Sequence, residues 1–380
     1  MAHDINIKES IEDKKSWFNV KRFKIGNLTF ERPVKALDVK GLTTRDFLDV
    51  INTHEFQMFE TSKMIKNFKI IDSLRNEEED GKINSFFNKK GYLEDRTHLI
   101  NFTFNFNPYN FIKKIDDISG FLDYYYQHSK PFLFIPNIKK NRVFSKPNRG
   151  ETIIDVKDYL NFVDSTYRIL DTKNNKPIFV PVSLRMSVKD IELLAEHYLK
   201  KECFYYWFDF EGKSINETSL ARINHFIRNV KDAGYYDKIV TYFTNVKREI
   251  ISNVKDIKSP ASDVLASVAG ANIIGVDREP QRRIEGPLPP PEHKARLFDK
   301  ETYYYVKTTD KNFFKKPINV SQNAIRLDSE FLEQTKHFLK ELEIEKLLEK
   351  KEMLFTYKEG NILRSLTSKE PTIQKTLKWY

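Results

Sequence analysis

The chain has 380 residues, 13% of them aromatic and 31% charged, with 64 Lys and Arg against 54 Asp and Glu and a formal net charge of +10. This composition excludes a disordered or fibrous protein and suits one large α/β domain or two small ones. The one cysteine, Cys203, excludes an internal disulfide and any multi-cysteine zinc or iron–sulfur site, and fits a reducing, cytoplasmic setting.

Met1–Asn19 has no apolar signal core, and no later run is long and apolar enough to span a membrane. Phe23–Phe30 reads as a short strand or hairpin. Beyond it, continuous apolar runs alternate with helical patterns. The runs are Pro33–Val39, Phe56–Thr61, Leu99–Phe106, Phe132–Pro136, Pro177–Val182, Phe204–Phe210, Lys238–Phe243 and Asn272–Val276, eight candidate strands of the kind that parallel sheets cover on both faces. Thr43 and Thr44 precede a helix carrying Phe47, Val50 and Ile51; Asp117 or Ser119 precedes one carrying Phe121, Leu122, Tyr125 and Tyr126. Asp155 caps a stripe of Val156, Tyr159, Leu160, Val163 and Tyr167, and Ser187 caps one of Ile191, Leu194, Ala195, Tyr198 and Leu199. Leu220, Ile223, Ile227 and Val230 form another, ending near Gly234. Ser259-Pro260 reads as a cap with proline at the first helical position, and Gly270 closes that short helix. The Pro-rich stretch 280–296 reads as an extended loop, Asn76–Asp80 as an exposed loop, and Phe331–Leu354 as a long amphipathic helix.

Strict strand–helix alternation implies right-handed βαβ units around a parallel sheet. Eight units match a (β/α)8 TIM barrel with a C-terminal helical extension. An open doubly wound sheet would show a glycine-rich turn where Asp38-Val39-Lys40-Gly41 stands. The expected organisation is an N-terminal segment over 1–32, the barrel over 33–279, a Pro-rich loop and connecting segment over 280–327, and the helical extension over 328–380.

In such a barrel the loops after the strands build the functional face. The sharpest candidate is the stretch Tyr205–Gly212. There Asp209 and Glu211 share one strand face if the strand stays extended. Carboxyls ending an aromatic strand are partly desolvated, which suits acid–base work; a structural Asp209 accepting loop amides beside a solvated Glu211 is the plainer alternative. Asp277 and Asp38 end the eighth and first runs as further candidate catalytic acids, although Asp38 with Lys40 equally makes a salt bridge. The expected arrangement is an acidic centre in which Asp209 and Glu211 reach Asp277 or Asp38, ringed by Arg185, Lys247 and Arg282. Lys40, Lys63, Arg185, Lys247, Arg248, Arg282 and Arg283 fall on the same rim, where they would attract phosphate or a nucleic-acid backbone, unless they are ordinary solvated charges. The tyrosine triplets Tyr124–Tyr126 and Tyr303–Tyr305 could stack bases but suit a core better. No H-E-x-x-H, P-loop or G-x-S-x-G motif occurs, so no cofactor or dedicated metal site is expected.

Two stretches resemble the tRNA-guanine transglycosylase superfamily, (β/α)8 barrels that exchange a base in nucleic acid. One is Ile25-Gly26-Asn27-Leu28 leading to Arg32-Pro33-Val34; the other is Ser259-Pro260-Ala261-Ser262-Asp263-Val264 followed by Ala271-Asn272-Ile273-Ile274-Gly275-Val276-Asp277. The resemblance implies a barrel and a role in tRNA modification as a transferase. Three family features are replaced. Pro280 stands at the nucleophile position, Asn105-Phe106-Asn107-Pro108 replaces the base-binding D-S-G-G-F, and the three-cysteine zinc cluster is missing.

The leading expectation is a divergent transglycosylase-like barrel acting on or binding a nucleobase-containing substrate, with Asp209, Glu211 and Asp277 as acid, base or nucleophile. A non-catalytic nucleic-acid-binding or assembly subunit is the rival. A Mg²⁺-dependent phosphodiesterase or nuclease using Asp38, Glu60, Asp209, Glu211 and Asp277 is the third.

Overall fold

The computed structural model describes residues 5–65, 71, 91–93, 96–104, 116–138, 155–172, 176–250, 256–277, 295–356 and 361–369. The chain opens with β1 (Asn6–Glu12), β2 (Asn19–Ile25) and β3 (Leu28–Phe30), an antiparallel sheet in that order. Gly26, at φ +57°, supplies the left-handed residue that folds β2 onto β3, so the expected hairpin forms.

Each of the eight apolar runs contains parallel strand. The first splits into β4 (Val34–Lys35) and β5 (Leu37–Asp38). Then come β6 (Phe59–Ile65), β7 (His98–Phe104), β8 (Leu133–Phe134) with β9 (Asn137–Ile138), β10 (Ile178–Ser183), β11 (Tyr205–Asp209) and β12 (Val240–Thr244). After a short antiparallel β13 (Lys258–Pro260), β14 (Ile273–Ile274) is the eighth. A six-stranded parallel sheet has the order β4-β14-β12-β11-β10-β8, and a four-stranded one the order β5-β6-β7-β9. The result is a curled, barrel-like α/β fold. Both splits have local causes. In the first run the backbone changes neighbours at Ala36. The Ala36 N–H donates to Ile274 O at 2.8 Å and that of Leu37 to Met58 O at 3.0 Å, while the Lys35 N–H is taken by the Asp328 carboxylate at 2.9 Å. In the fourth, Pro136 has no N–H to give a ladder.

The helices follow their caps. Thr43 caps α1 (Thr44–Thr53) in a reciprocal box with Asp46, whereas α2 spans Asp116–His128, so Asp117 and Ser119, expected to precede it, lie inside it. Asp155 caps α3 (Val156–Asp171), Ser187 caps α4 (Val188–Lys200), and Asn216 caps α5 (Glu217–Asp232). Two further expectations fail. Ser259-Pro260 does not start a helix: it lies in β13, paired with β16 (Tyr304–Lys307), and the Ser259 hydroxyl binds Glu249. The helix there is a 3₁₀ turn over Asp263–Ala266. The helix expected over Phe331–Leu354 runs instead over Lys316–Glu341 (α6), starting with Pro317 in its first turn and stopping at Leu342, which is left-handed at φ 57°. It therefore crosses the 327/328 boundary and packs on β4, β5 and β15 (Arg296–Asp299).

Two faces of the strands bury two kinds of core. Toward the helices, Ile100, Phe102, Val180, Val182, Tyr206, Phe208, Phe243 and Ile274 pack into one apolar cluster with α2–α5. On the opposite face Val34, Met58, Leu99, Phe134, Phe179, Trp207, Tyr242 and Ile273 meet Ile5, Phe23, Ile25 and Phe30 of the N-terminal sheet. That sheet closes the amino-terminal end of the strands. Phe134 lies 4.7 Å from Tyr242 and 5.4 Å from Trp207, ring centre to ring centre. No helix among the described residues is long and apolar enough to cross a membrane.

Candidate functional site

Along each strand the inner face changes character toward the carboxyl end. Leu99 gives way to Asn101 and Thr103, Met58 to Glu60, Phe179 to Ser183, Trp207 to Asp209, and Tyr242 to Thr244. These pairs share a face because strand side chains alternate, and all five polar replacements after the first, with Asn101, are buried.

Two carboxylates organise this polar layer. Asp209 accepts the Glu211 N–H at 2.9 Å and the Asn245 amide at 2.8 Å on one oxygen, and the Thr103 hydroxyl at 3.2 Å and the Asn137 amide at 3.1 Å on the other. Tyr159 donates in turn to Asn137 Oδ1 at 3.0 Å. Glu60 accepts Asn101 and Tyr242, Thr244 at 3.2 Å and the Val276 N–H at 2.8 Å. Burial pushes the Glu60 carboxyl above its ordinary value, against the pull of Tyr242 and Lys35. Gly275 makes room for it: a Cβ there would come within 2.6 Å of Glu60 Oε2 and 2.8 Å of the Tyr242 hydroxyl. The glycine of the Gly275-Val276-Asp277 stretch is thus required by close packing.

The expected acidic centre does not form as drawn. The strand ends at Asp209, and Glu211 is left-handed at φ 50°, so the alternation that would place both acids on one face is broken. Asp209 folds the turn by accepting the Glu211 amide, and none of its four bonds goes to Asp277 or Asp38. Glu211 is not solvated: its side chain is 1% exposed, takes the Ser183 hydroxyl at 3.0 Å and lies 3.4 Å from Arg185 Nε. Asp38 accepts the Lys40 backbone N–H at 2.8 Å, so the pair meets through an amide, and burial raises the Asp38 carboxyl. Asp277 accepts the Arg248 N–H at 3.3 Å.

The cations divide. Lys40 is exposed and Lys63 half-buried, and the Lys63 ammonium is pushed down by burial and then by the charge of Lys40. Arg185 and Lys247 stay half-exposed after β10 and β12. Arg248 leaves the rim. Its guanidinium pairs with Glu249, donates to Asn319 of α6 at 3.3 Å and stacks 4.9 Å from the Tyr305 ring centre, because the neighbouring Glu249 offers an anion and β16 an aromatic face. Arg282 and Arg283, with Pro280 and Asn105, lie outside the described residues. Tyr303 and Tyr305 are buried in the core, as are Tyr125 and Tyr126.

Three groups escaped sequence reasoning. Lys35 is buried and donates to Gly275 O; burial lowers its ammonium, opposed by Glu60, Asp263 and Asp277. A lysine inside an apolar run was the available signal. Asp263 is pushed up to about 7 by burial; it takes the Tyr305 hydroxyl at 2.8 Å on one oxygen, and the other is buried without a hydrogen-bond partner. Arg222, on α5, donates its Nε to Met186 O at 2.7 Å, which brings it beneath the loop after β10. Nothing in its helical spacing marked it. Among the described residues no group of three or more His, Cys, Asp or Glu could hold a metal ion. No family model matches the chain, and no curated protein is similar to it in sequence.

Proposed function

We propose that the chain is a closed (β/α)8 barrel that binds a nucleobase-containing polyanion, nucleic acid above all, at the carboxyl ends of its strands, with its buried acids serving as scaffold. Closure is supported by the first run pairing with β14 through β4 and with β6 through β5, and by the fourth run pairing with β10 through β8 while β9, just beyond that run, pairs with β7. The observation that carries the function is the sorting of charge at the strand ends. The acids Asp209 and Glu60 are turned inward and saturated by donors from the protein itself, while Lys40, Lys63, Arg185 and Lys247 stay at the rim. A saturated carboxylate has no acceptor site left for a substrate proton or a Mg²⁺ ion, whereas rim cations gain by displacing counterions from phosphate. The test is binding of labelled single- and double-stranded RNA and DNA as salt is raised. Affinity should fall linearly on a log–log plot; negligible binding at low salt would end the proposal.

A second reading, glycosidic-bond chemistry of the transglycosylase kind, is favoured by one observation. Asp263 is poised near neutrality and is raised in part by Asp277, and two acids in unlike environments are what such chemistry uses. Release of free base from nucleic acid, lost in Asp277→Asn and in Asp263→Asn, would move the balance to it.

A further inference from the structure

The geometry points to a phosphodiester subsite between Arg185 and Arg222, at the carboxyl ends of β10 and β11. It rests on the nucleic-acid reading above and names the part of that face which holds the backbone.

The two arginines meet at one loop. Arg222 is anchored by its Nε to Met186 O at 2.7 Å, one residue from Arg185, and the charge of Arg185 opposes that of Arg222. Among the described residues the terminal nitrogens of Arg222 donate to nothing, since its one bond is through Nε. Arg185 is held loosely. Its Nη2 is 3.5 Å from Glu211 O, and its Nε, 3.4 Å from Glu211 Oε2, is buried without a bond of good geometry. The Ser183 hydroxyl donates to Glu211 and steadies that carboxylate, on a residue whose own backbone is left-handed and whose N–H is bonded to Asp209.

Charge and shape then select the ligand. Two guanidiniums against one carboxylate leave a single positive charge, which matches the one negative charge of a backbone phosphodiester. Planar forks presenting paired N–H groups suit phosphate oxygens, and a bound phosphate would relieve the repulsion between the two arginines. A guanine edge would also accept from a guanidinium, but it carries no charge to offset the two arginines, so the phosphate is the better match. The subsite therefore fixes register along a strand and carries no sequence preference.

The experiment is fluorescence anisotropy of a labelled single-stranded oligonucleotide with wild type, Arg222→Gln, Arg222→Lys and Lys200→Gln across a range of salt. Lys200 is exposed in the last turn of α4, at the opposite end of that helix from Ser187, and its substitution removes the same net charge. Arg222→Gln should weaken binding by about tenfold or more and lower the salt slope by about 0.7, the loss of one phosphate contact. Arg222→Lys should weaken binding while keeping the slope, and Lys200→Gln should change affinity less than about twofold. If Arg222→Gln loses its far-ultraviolet circular dichroism, Arg222→Lys and Arg185→Gln decide: unchanged affinity in both overturns the subsite. Equal losses in Arg222→Gln and Lys200→Gln overturn it too, leaving binding by the face intact. Wild type that fails to bind at low salt brings down the nucleic-acid reading itself, and the subsite with it.

Discussion

The inner face of the strands is two materials in one fold. Toward the amino ends it is aromatic and aliphatic, with Trp207, Phe134, Phe179 and Tyr242 packed under the N-terminal sheet. Toward the carboxyl ends it is amides, hydroxyls and two carboxylates. The first half gains stability from removing apolar surface from water; the second must spend every donor and acceptor to break even. That Asp209 and Glu60 are each surrounded by four donors is therefore the condition for burying them. The contrast teaches that acids at strand ends are not a catalytic signature in themselves. Asp263, with one oxygen unbonded, and the cations that stay at the rim are the informative groups.

The largest loss of stability should come from the apolar half. Trp207→Ala removes a fully buried indole and its bond to Ile135 O at 3.1 Å, and should cost about 4 kcal/mol in urea unfolding. A cost below about 1 kcal/mol would mean that the aromatic half is not the stabilising one. Next, Asp209→Ala strands the donors of Thr103, Asn137, Asn245 and Glu211 in a buried layer and should cost about 3 kcal/mol. The near-isosteric Asp209→Asn, which turns a donor NH2 toward donors, should cost about 2 kcal/mol. If Asp209→Asn keeps its melting temperature and loses ligand binding, the scaffold role is wrong and the acid is functional.

Asp263→Asn tests a group that the polar layer leaves half-satisfied. The native carboxyl titrates at about 7, above its usual range, so the folded state binds the proton more tightly than the unfolded one. The wild type is then unpenalised at low pH, and its stability declines as pH rises from about 4 toward 7. Asp263→Asn should match wild type near pH 4 and exceed it by roughly 4 kcal/mol at pH 8. Parallel pH profiles for the two would show that burial does not control this carboxyl. The smallest effect is at the rim. Lys63→Gln removes a charge opposed by Lys40 and should raise stability by at most about 0.5 kcal/mol at low salt, vanishing as salt is added.

Much of the fold was legible because it is local or periodic. The eight apolar runs hold the parallel strands, and Thr43, Asp155 and Ser187 cap where their side-chain chemistry says they should. Ser259-Pro260 misled because the same pair suits an edge strand, and what decided it was β16, more than forty residues away, as the pairing of Ser259 with Tyr305 records. The site was less legible. Alternation placed Asp209 correctly but could not foresee that its own carboxylate would capture the Glu211 amide and end the strand. Arg248 was counted with the rim, yet its fate was set by Glu249 and Tyr305, and only tertiary packing brings Tyr305 to it. Lys35 and Asp263 owe their perturbation to burial, which single residues do not announce.

One small contact bears on how this chain is made. The backbone amide of Lys35 finds its acceptor in Asp328, 293 positions later, and that same carboxylate holds Arg32 at 2.6 Å and His54 at 3.0 Å. A chain emerging from the ribosome therefore exposes its first parallel strand long before the residues that complete it exist. At about 5–20 residues per second, that interval lasts tens of seconds, with an unpaired edge open to wrong partners. High contact order slows folding for the same reason. Asp328→Asn should show itself less in the finished protein than in the yield of its synthesis, with more nascent chain retained by chaperones and more lost to aggregation.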